Sequence, residues 1–232
     1  MCTLPFLQAS RNLTSTGGSP WILTSHIDID TFRFAREHGN DSVRSYTTVV
    51  QLDLFILFGR WEDAKSLLNN CGDLRLLVWG VFHAVRFSFL EAFISLKVAQ
   101  METVLREKRK YKSRAKKTMK LIRKWLRKGN VNCLHTYHLL SAEYAVLIGK
   151  NKRAEENFKA AQITAGRSGW LSDKALAHEM AGLYHMKRAD DYWAKYDFEQ
   201  AHRTYRDWGA TAKVSQLEKE YPQFQLNLTS HT

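Results

Sequence analysis

A thiol and two imidazoles lie close together in the sequence, at Cys133, His135 and His138. His135 and His138 are three residues apart and would share one face of a helix, and sulfur and imidazole nitrogen are the ligands that zinc prefers. The set could hold zinc only if another helix supplied a fourth ligand. We expect these side chains to be ordinary packing and surface positions at the start of a helix, with no metal and no cofactor.

A second candidate is the pair His178 and Glu179, which matches the start of the His-Glu-x-x-His motif of zinc proteases. The position that would carry the second histidine is Gly182, and the next histidine is His185. We therefore reject a zinc-protease helix. The chain also lacks a Gly-x-x-x-x-Gly-Lys-Ser/Thr loop and a nucleophile in a recognisable elbow. We expect no enzymatic activity, although a Ser-His-Asp or Cys-His triad stays open because its members meet only in space.

The strongest chemical signal is a run of bases between Arg106 and Lys128. Thirteen Lys or Arg residues stand there against one acid, Glu107, while the 22 bases and 22 acids of the rest of the chain cancel. The net charge of +12 therefore belongs to this one segment. A cationic face of this kind attracts acidic partners, while the rest of the chain is neutral overall.

The basic segment is also amphipathic, because its apolar residues recur at helical spacing. They would form one stripe along a helix: Tyr111, Ala115, Met119, Ile122 and Leu126. In the simplest interpretation the helix packs this stripe on its neighbours and exposes a solvated cationic face. Three functional alternatives stay open: an acidic protein partner, nucleic acid or an anionic membrane, and a calmodulin-type partner anchored by Trp125. The candidate partner-binding residues are Arg109, Lys112, Lys116, Lys117, Lys120, Arg123 and Lys124.

Composition predicts an all-α protein. The three prolines, Pro5, Pro20 and Pro222, lie near the ends of the sequence, and about two hundred residues between them are free of the strongest helix breaker.

The three cysteines are widely separated and support no disulfide framework. Residues 1–25 lack the pattern of a signal peptide, and no apolar stretch reaches the length of a membrane span. We therefore expect a cytoplasmic protein.

The helices are predicted to come in pairs, because one sequence pattern, a glycine followed five residues later by an alanine, recurs. Gly59 is followed by Ala64, and Gly149 by Ala154, each between two amphipathic stretches. The glycine would supply the left-handed backbone that closes the first helix, and the alanine would let the second helix pack closely on it. Helices are expected near residues 27–37, 42–58, 61–70, 74–100, 102–128, 133–148, 152–167, 172–188, 190–207 and 210–220.

Stacked pairs of this kind predict a tetratricopeptide-like α-solenoid of antiparallel helix pairs. We assign residues 26–222 to this helical repeat domain, residues 1–25 to a flexible leader and residues 223–232 to a flexible tail.

Residues 125–222 resemble the tetratricopeptide-like region that follows the AAA-type regulatory ATPase in very large signalling proteins, in which kinase-like, sensor and histidine kinase domains share one chain. The sequence motifs on which this resemblance depends lie at residues 139–149, 175–181 and 205–222, and their order and spacing match those of the family. A weaker likeness covers residues 59–99. The sequence departs from the family pattern at Gly129 and Asn130, where a Cys-Pro is usual, and at Ala189, where a turn glycine is usual.

The resemblance implies a non-catalytic interaction or regulatory scaffold whose protein partners would be signalling ATPase, kinase or sensor modules. Under this resemblance the chain would be a signal-transduction module or a detached fragment of a multi-domain signalling ATPase. The residues expected to pack the repeats are Gly59, Ala64, Trp125, Gly149, Ala154, Trp208 and Gly209. The rival function, which the residues themselves suggest, is polyanion binding by segment 106–128.

Overall fold

The computed structural model describes residues 4–14, 19–22, 41–76 and 82–226, and within those ranges every regular element is helical. The all-α prediction is therefore confirmed. The ten α-helices that the structure describes are α1 (Leu4–Thr14), α2 (Asp41–Leu57), α3 (Trp61–Asn70), α4 (Phe82–Met101), α5 (Leu105–Arg127), α6 (Leu134–Leu147), α7 (Asn151–Arg167), α8 (Leu171–Lys187), α9 (Asp191–Asp207) and α10 (Thr211–Glu220). Short 3-10 turns cover Leu74–Leu76, Val131–Cys133 and Pro222–Phe224.

Most predicted helices agree with the structure to within three residues at either end. Of the predicted helix 74–100, the structure describes a 3-10 turn at Leu74–Leu76 and a regular helix from Phe82 onward, and residues 77–81 lie outside the described ranges. The predicted helix 27–37 lies outside the described residues. Helix α1 falls within the segment that we predicted as a flexible leader, and it packs against α2 with Ala9 buried.

The chain divides into two compact units, Met1–Met119 and Lys120–Thr232, and the division falls inside α5. In the first unit, α2, α3 and α4 pack against one another. Helix α4 is rich in Phe and Leu and is buried over most of its length, with Phe87, Phe89 and Phe93 almost free of solvent contact. The guanidinium of Arg86 on α4 donates to both carboxylate oxygens of Asp53 on α2.

In the second unit each helix from α6 to α10 packs against the next one along the chain. Helices α7 and α9 bury a narrow stripe of small and aromatic side chains, whereas α6 and α8 are buried over a wider face. Narrow stripes are typical of helices in an outer layer, because their remaining faces meet solvent. The rings of Phe198, Tyr221 and Phe224 stack at one end of this core.

The turns of the second unit share one backbone geometry. Their left-handed residues follow at intervals of 20 in the numbering: Gly129, Gly149, Gly169, Ala189 and Gly209. At Gly149, for example, the N–H donates to the carbonyl of Val146, and the N–H of Lys150 donates to that of Ala145. This pair of bonds is the Schellman motif, which ends a helix and satisfies its last carbonyls. Helices α7, α8 and α9 are each 17 residues long, and a three-residue connection joins each helix from α6 to α10 to the next.

Candidate functional site

The cationic helix α5 has a defined beginning. The carboxylate of Glu102 accepts hydrogen bonds from the N–H groups of Thr103 (3.1 Å) and Val104 (3.2 Å). These bonds satisfy backbone donors that have no partner inside the helix, which stabilises the first turn. The same carboxylate lies 3.7 Å from the Nζ atom of Lys65 on α3.

The inner face of α5 follows the predicted stripe in part. Tyr111, Ala115 and Ile122 are buried, while Met119 and Leu126 are half-buried. Thr118, which the predicted stripe does not include, is buried as well. The side-chain amide of Asn69 on α3 donates to the hydroxyl of Tyr111 over 2.9 Å. The burial of one face fixes which side of α5 is left for solvent.

A buried carboxylate fixes the same helix in place. Glu91 on α4 receives hydrogen bonds from Arg75 (2.6 Å), Arg114 (2.9 Å) and the hydroxyl of Thr118 (2.8 Å). Burial alone would raise the pKa of Glu91, but the hydrogen bonds and the charge of Arg75, with Thr118 and Arg114, hold that pKa below its ordinary value. The carboxylate therefore stays ionised and links α5 to α4.

Arg114 is the residue of this cluster that the sequence predictions overlooked, because it was counted with the exposed bases. Its guanidinium also donates to the side-chain oxygen of Asn69 and to the carbonyl of Leu68. The signal was present in the spacing: Arg114 follows Tyr111 by three residues and precedes Thr118 by four, so all three share one face. Glu91 could not be found in this way, since it lies 23 residues away in the chain.

The predicted partner-binding cations lie mainly on the outer side of α5. Six of them are exposed: Arg109, Lys116, Lys117, Lys120, Arg123 and Lys124. Within the described ranges none of these six forms an ion pair or a hydrogen bond. The seventh, Lys112, is half-buried. We call the six exposed residues the cationic face. It presents several charges along a single helix, and such a surface attracts polyanions and acidic segments.

The candidate zinc ligands have separate partners in the second unit. The thiol of Cys133 is buried and lies 3.1 Å from the carbonyl oxygen of Asn130, and burial raises the pKa of this thiol. His135 pairs with the carboxylate of Asp173 over 2.9 Å. His138 approaches the side-chain oxygen of Asn157. Across the part of the chain that the structure describes, no three His, Cys, Asp or Glu side chains are grouped as metal ligands would be.

His178 and Glu179 belong to hydrogen-bonded clusters inside the second unit. The Nδ1 atom of His178 lies 2.8 Å from Asp197, which also accepts a bond from Gln162. Glu179 accepts bonds from the ammonium of Lys213 (2.7 Å) and the hydroxyl of Tyr205 (2.8 Å). Burial, and then the charge of Glu179, raises the pKa of Tyr205 well above its ordinary value. These contacts join α8 to α9 and α10.

The predicted repeat-packing residues occupy turns and helix faces. Gly59, Gly149 and Gly209 have φ angles of +66°, +68° and +84° and end their helices. Ala64 and Ala154 are buried against neighbouring helices. The two tryptophans are more exposed than a core position would be: Trp125 is half-buried, and Trp208 lies at the end of α9 with its ring 6.5 Å from that of Tyr205.

Comparisons of the chain with protein-family models, with curated proteins and with solved structures find no match. Among the helices that the structure describes, none has both the length and the apolar composition that a membrane crossing requires.

Proposed function

We propose that this chain is a non-catalytic, tetratricopeptide-like repeat module of the cytoplasm that binds protein partners in signal transduction. The observation that supports it best is an internal correspondence in the second unit, at a separation of forty residues. Ala154, Phe158 and Ala161 on α7 are buried, and their counterparts Ala194, Phe198 and Ala201 on α9 are buried in the same way.

A polar contact repeats at the same separation. His138 on α6 approaches Asn157 on α7, and His178 on α8 approaches Asp197 on α9, each pair 19 residues apart. In both pairs the Nδ1 atom of the histidine meets the side-chain oxygen of the later residue. Matching apolar and polar positions are what a repeated helix pair requires, because each copy must present the same surface to its neighbour.

The partner class follows from charge. The cationic face is exposed and carries no ion pair among the described residues, so an acidic segment of a protein would be attracted to it. In the proposed setting that segment belongs to a signalling ATPase, a kinase or a sensor module. The solenoid of antiparallel pairs would hold α5 in a fixed position for such a partner.

The test compares three forms of the protein in affinity capture from lysate of its source cell. The first is the native chain. The second, the six-cation variant, has every residue of the cationic face replaced by Gln. The control variant loses the same number of exposed charges, spread over helices α7 to α10 and their turns, with Gln at Lys150, Lys159, Arg167, Lys187, Arg203 and Lys219.

We expect the native chain and the control variant to retain one acidic protein that the six-cation variant loses. That protein is then to be identified and bound again in purified form. If the native chain retains no protein, with or without ATPase, kinase and sensor modules supplied separately, the scaffold proposal fails.

A second candidate function is the binding of a non-protein polyanion, and the number of exposed cations on one helix favours it. Each cation that contacts a phosphate releases a counterion, so binding would weaken steeply as salt increases. The six-cation variant should lose most of the affinity and the control variant little. Only binding that persists near 0.15 M salt, where the Debye length is about 8 Å, counts in favour.

A further inference from the structure

Three large apolar side chains are exposed to solvent where α4 ends and α5 begins. Met101, Val104 and Leu105 are 53%, 56% and 67% exposed, and they lie within a span of five residues in the first unit. We call Met101, Val104 and Leu105 the apolar tip. A scattered exposed leucine needs no explanation, but several exposed aliphatic side chains in one short connection indicate a contact surface.

The apolar tip belongs to a connection, residues 101–105, that is fixed by hydrogen bonds. Its one acid, Glu102, is only 17% exposed, and its carboxylate is bonded to the N–H groups of Thr103 and Val104 and approached by Lys65. The connection therefore presents aliphatic carbon outward, while its negative charge is held against the protein.

One residue of the apolar tip, Leu105, is in line with part of the cationic face. Leu105 precedes Arg109 by four residues, Lys112 by seven and Lys116 by eleven, which places all four on one side of α5. Arg109 and Lys116 are exposed like Leu105. One side of the helix thus carries the aliphatic side chain of Leu105 at its beginning and cations over the next three turns.

We propose that this end of α5 docks on the surface of an anionic lipid bilayer. The apolar tip enters the boundary between headgroups and acyl chains, while Arg109 and Lys116 contact the acidic headgroups. This inference builds on the second candidate function and names its polyanion. Lipid requires both features together, because peripheral binding combines buried apolar area with attraction to anionic headgroups. Single-stranded nucleic acid combines cations with aromatic rings for base stacking, and the apolar tip contains no ring, while phosphate contacts on a duplex would leave its aliphatic side chains without a role.

The experiment measures sedimentation of the full chain with vesicles of phosphatidylcholine, with and without phosphatidylserine, at physiological salt. The main variant is Val104→Asn with Leu105→Asn, which removes apolar contact and leaves the charge unchanged. Its control is Val131→Asn, at a valine that is 69% exposed beyond the other end of α5. A further variant, Arg109→Gln with Lys116→Gln, removes two cations from the same side of the helix.

The native chain is expected to bind the vesicles that contain phosphatidylserine and not to bind vesicles of phosphatidylcholine alone. The Val104 and Leu105 variant should bind at least about tenfold more weakly, since each aliphatic side chain loses its transfer out of water. The Arg109 and Lys116 variant should lose about fivefold for each cation. The Val131 control should bind like the native chain, and circular dichroism confirms that every variant keeps its helix content.

The lipid inference is overturned if the native chain does not bind the anionic vesicles, or if the Val104 and Leu105 variant binds them as tightly as the native chain. A single-stranded oligonucleotide, tested in parallel, shows whether lipid binding fails alone or together with polyanion binding in general. If the native chain binds the oligonucleotide but not the vesicles, the lipid inference is wrong and polyanion binding stands. If it binds neither, both are wrong.

Discussion

Ala189 occupies a backbone position that favours glycine. Its φ angle is +55°, and the four equivalent turn positions of the second unit, Gly129, Gly149, Gly169 and Gly209, are all glycine. A Cβ atom in this region meets the neighbouring carbonyl oxygen and costs about 1 kcal/mol for a single residue. The turn at Ala189 keeps the geometry of the others because both of its Schellman hydrogen bonds are formed.

Replacing Ala189 by Gly should therefore raise the free energy of unfolding by about 1 kcal/mol. The matched control is Gly169→Ala, where an added Cβ atom would meet nothing within 4 Å, so that only the backbone cost is added. It should lower stability by a similar amount. Urea unfolding followed by circular dichroism measures both. Equal stability of native and Ala189→Gly protein would show that the turn carries no strain.

Gly182 is required for a different reason, which is space. It lies inside α8, and an added Cβ atom would come within 3.1–3.2 Å of the ring of Phe198. That ring cannot move away easily, because it stacks on Tyr221 with a centroid separation of 4.2 Å.

Replacing Gly182 by Ala should lower the free energy of unfolding by about 1 kcal/mol, since overpacking outweighs the gain in helix propensity. The control is Gly166→Ala in α7, whose added Cβ atom would meet only the flexible side chain of Lys174 at 3.6 Å or beyond. That change should stabilise the protein. A stabilising effect of Gly182→Ala in the same urea experiment would contradict the close contact with Phe198.

At the scale of elements, the cationic helix depends on the cluster around Glu91. The pKa of Glu91 is lower in the folded protein than the ordinary carboxyl value, so the unfolded chain binds a proton more readily. The stabilisation that Glu91 provides is complete at pH values above its pKa in the unfolded chain. It is lost as the pH falls through its pKa in the folded protein. Glu91→Gln should lower stability at neutral pH by about 2 kcal/mol, because Arg75 and Arg114 lose their shared partner.

The same variant should also show a smaller loss of stability as pH falls below about 4.5. Urea unfolding at several pH values between neutral and acidic measures the difference from the native chain. Glu107→Gln is the control, because Glu107 pairs with the exposed Lys110, and loss of this exposed pair should change stability little. A loss in acid as large in Glu91→Gln as in the native chain would mean that other carboxylates cause it.

Much of the helical framework could be predicted from the sequence. Periodic apolar residues and turn glycines place most helices correctly, because both signals are local. The contacts that fix α5 are not local. Arg114 is one base among thirteen, and only the position of Glu91 on another helix shows that it points inward. The exposed apolar tip was missed for a similar reason, since Leu105 looks like part of a core until its neighbours are known.

At the scale of the whole molecule, an experiment can distinguish the effect of where the positive charges lie from the effect of the net charge. The six-cation variant and the control variant lose the same number of charges from a net +12. A sorbent of negative charge binds clustered cations more strongly than dispersed ones, because their potentials add within a Debye length.

On a cation-exchange column the six-cation variant should therefore elute at lower salt than the control variant, and both before the native chain. Matched circular dichroism spectra serve as the check on folding. If the two variants elute together, the cationic face does not act as a unit, and both the acidic-partner and the polyanion proposals lose their physical basis.

The regular spacing of the turns has a consequence for how such a chain can lengthen. Consecutive turn residues from Gly129 to Gly209 lie 20 positions apart, while the full set formed by Ala154, Phe158 and Ala161 recurs after two such steps. In the proposed repeat array, a duplication of one helix with its turn would set the wrong face against the next helix. A duplication of two would restore the surface that each neighbour requires. Gene segments that encode this unit are therefore expected to grow or shrink by whole helix pairs, and never by a single helix.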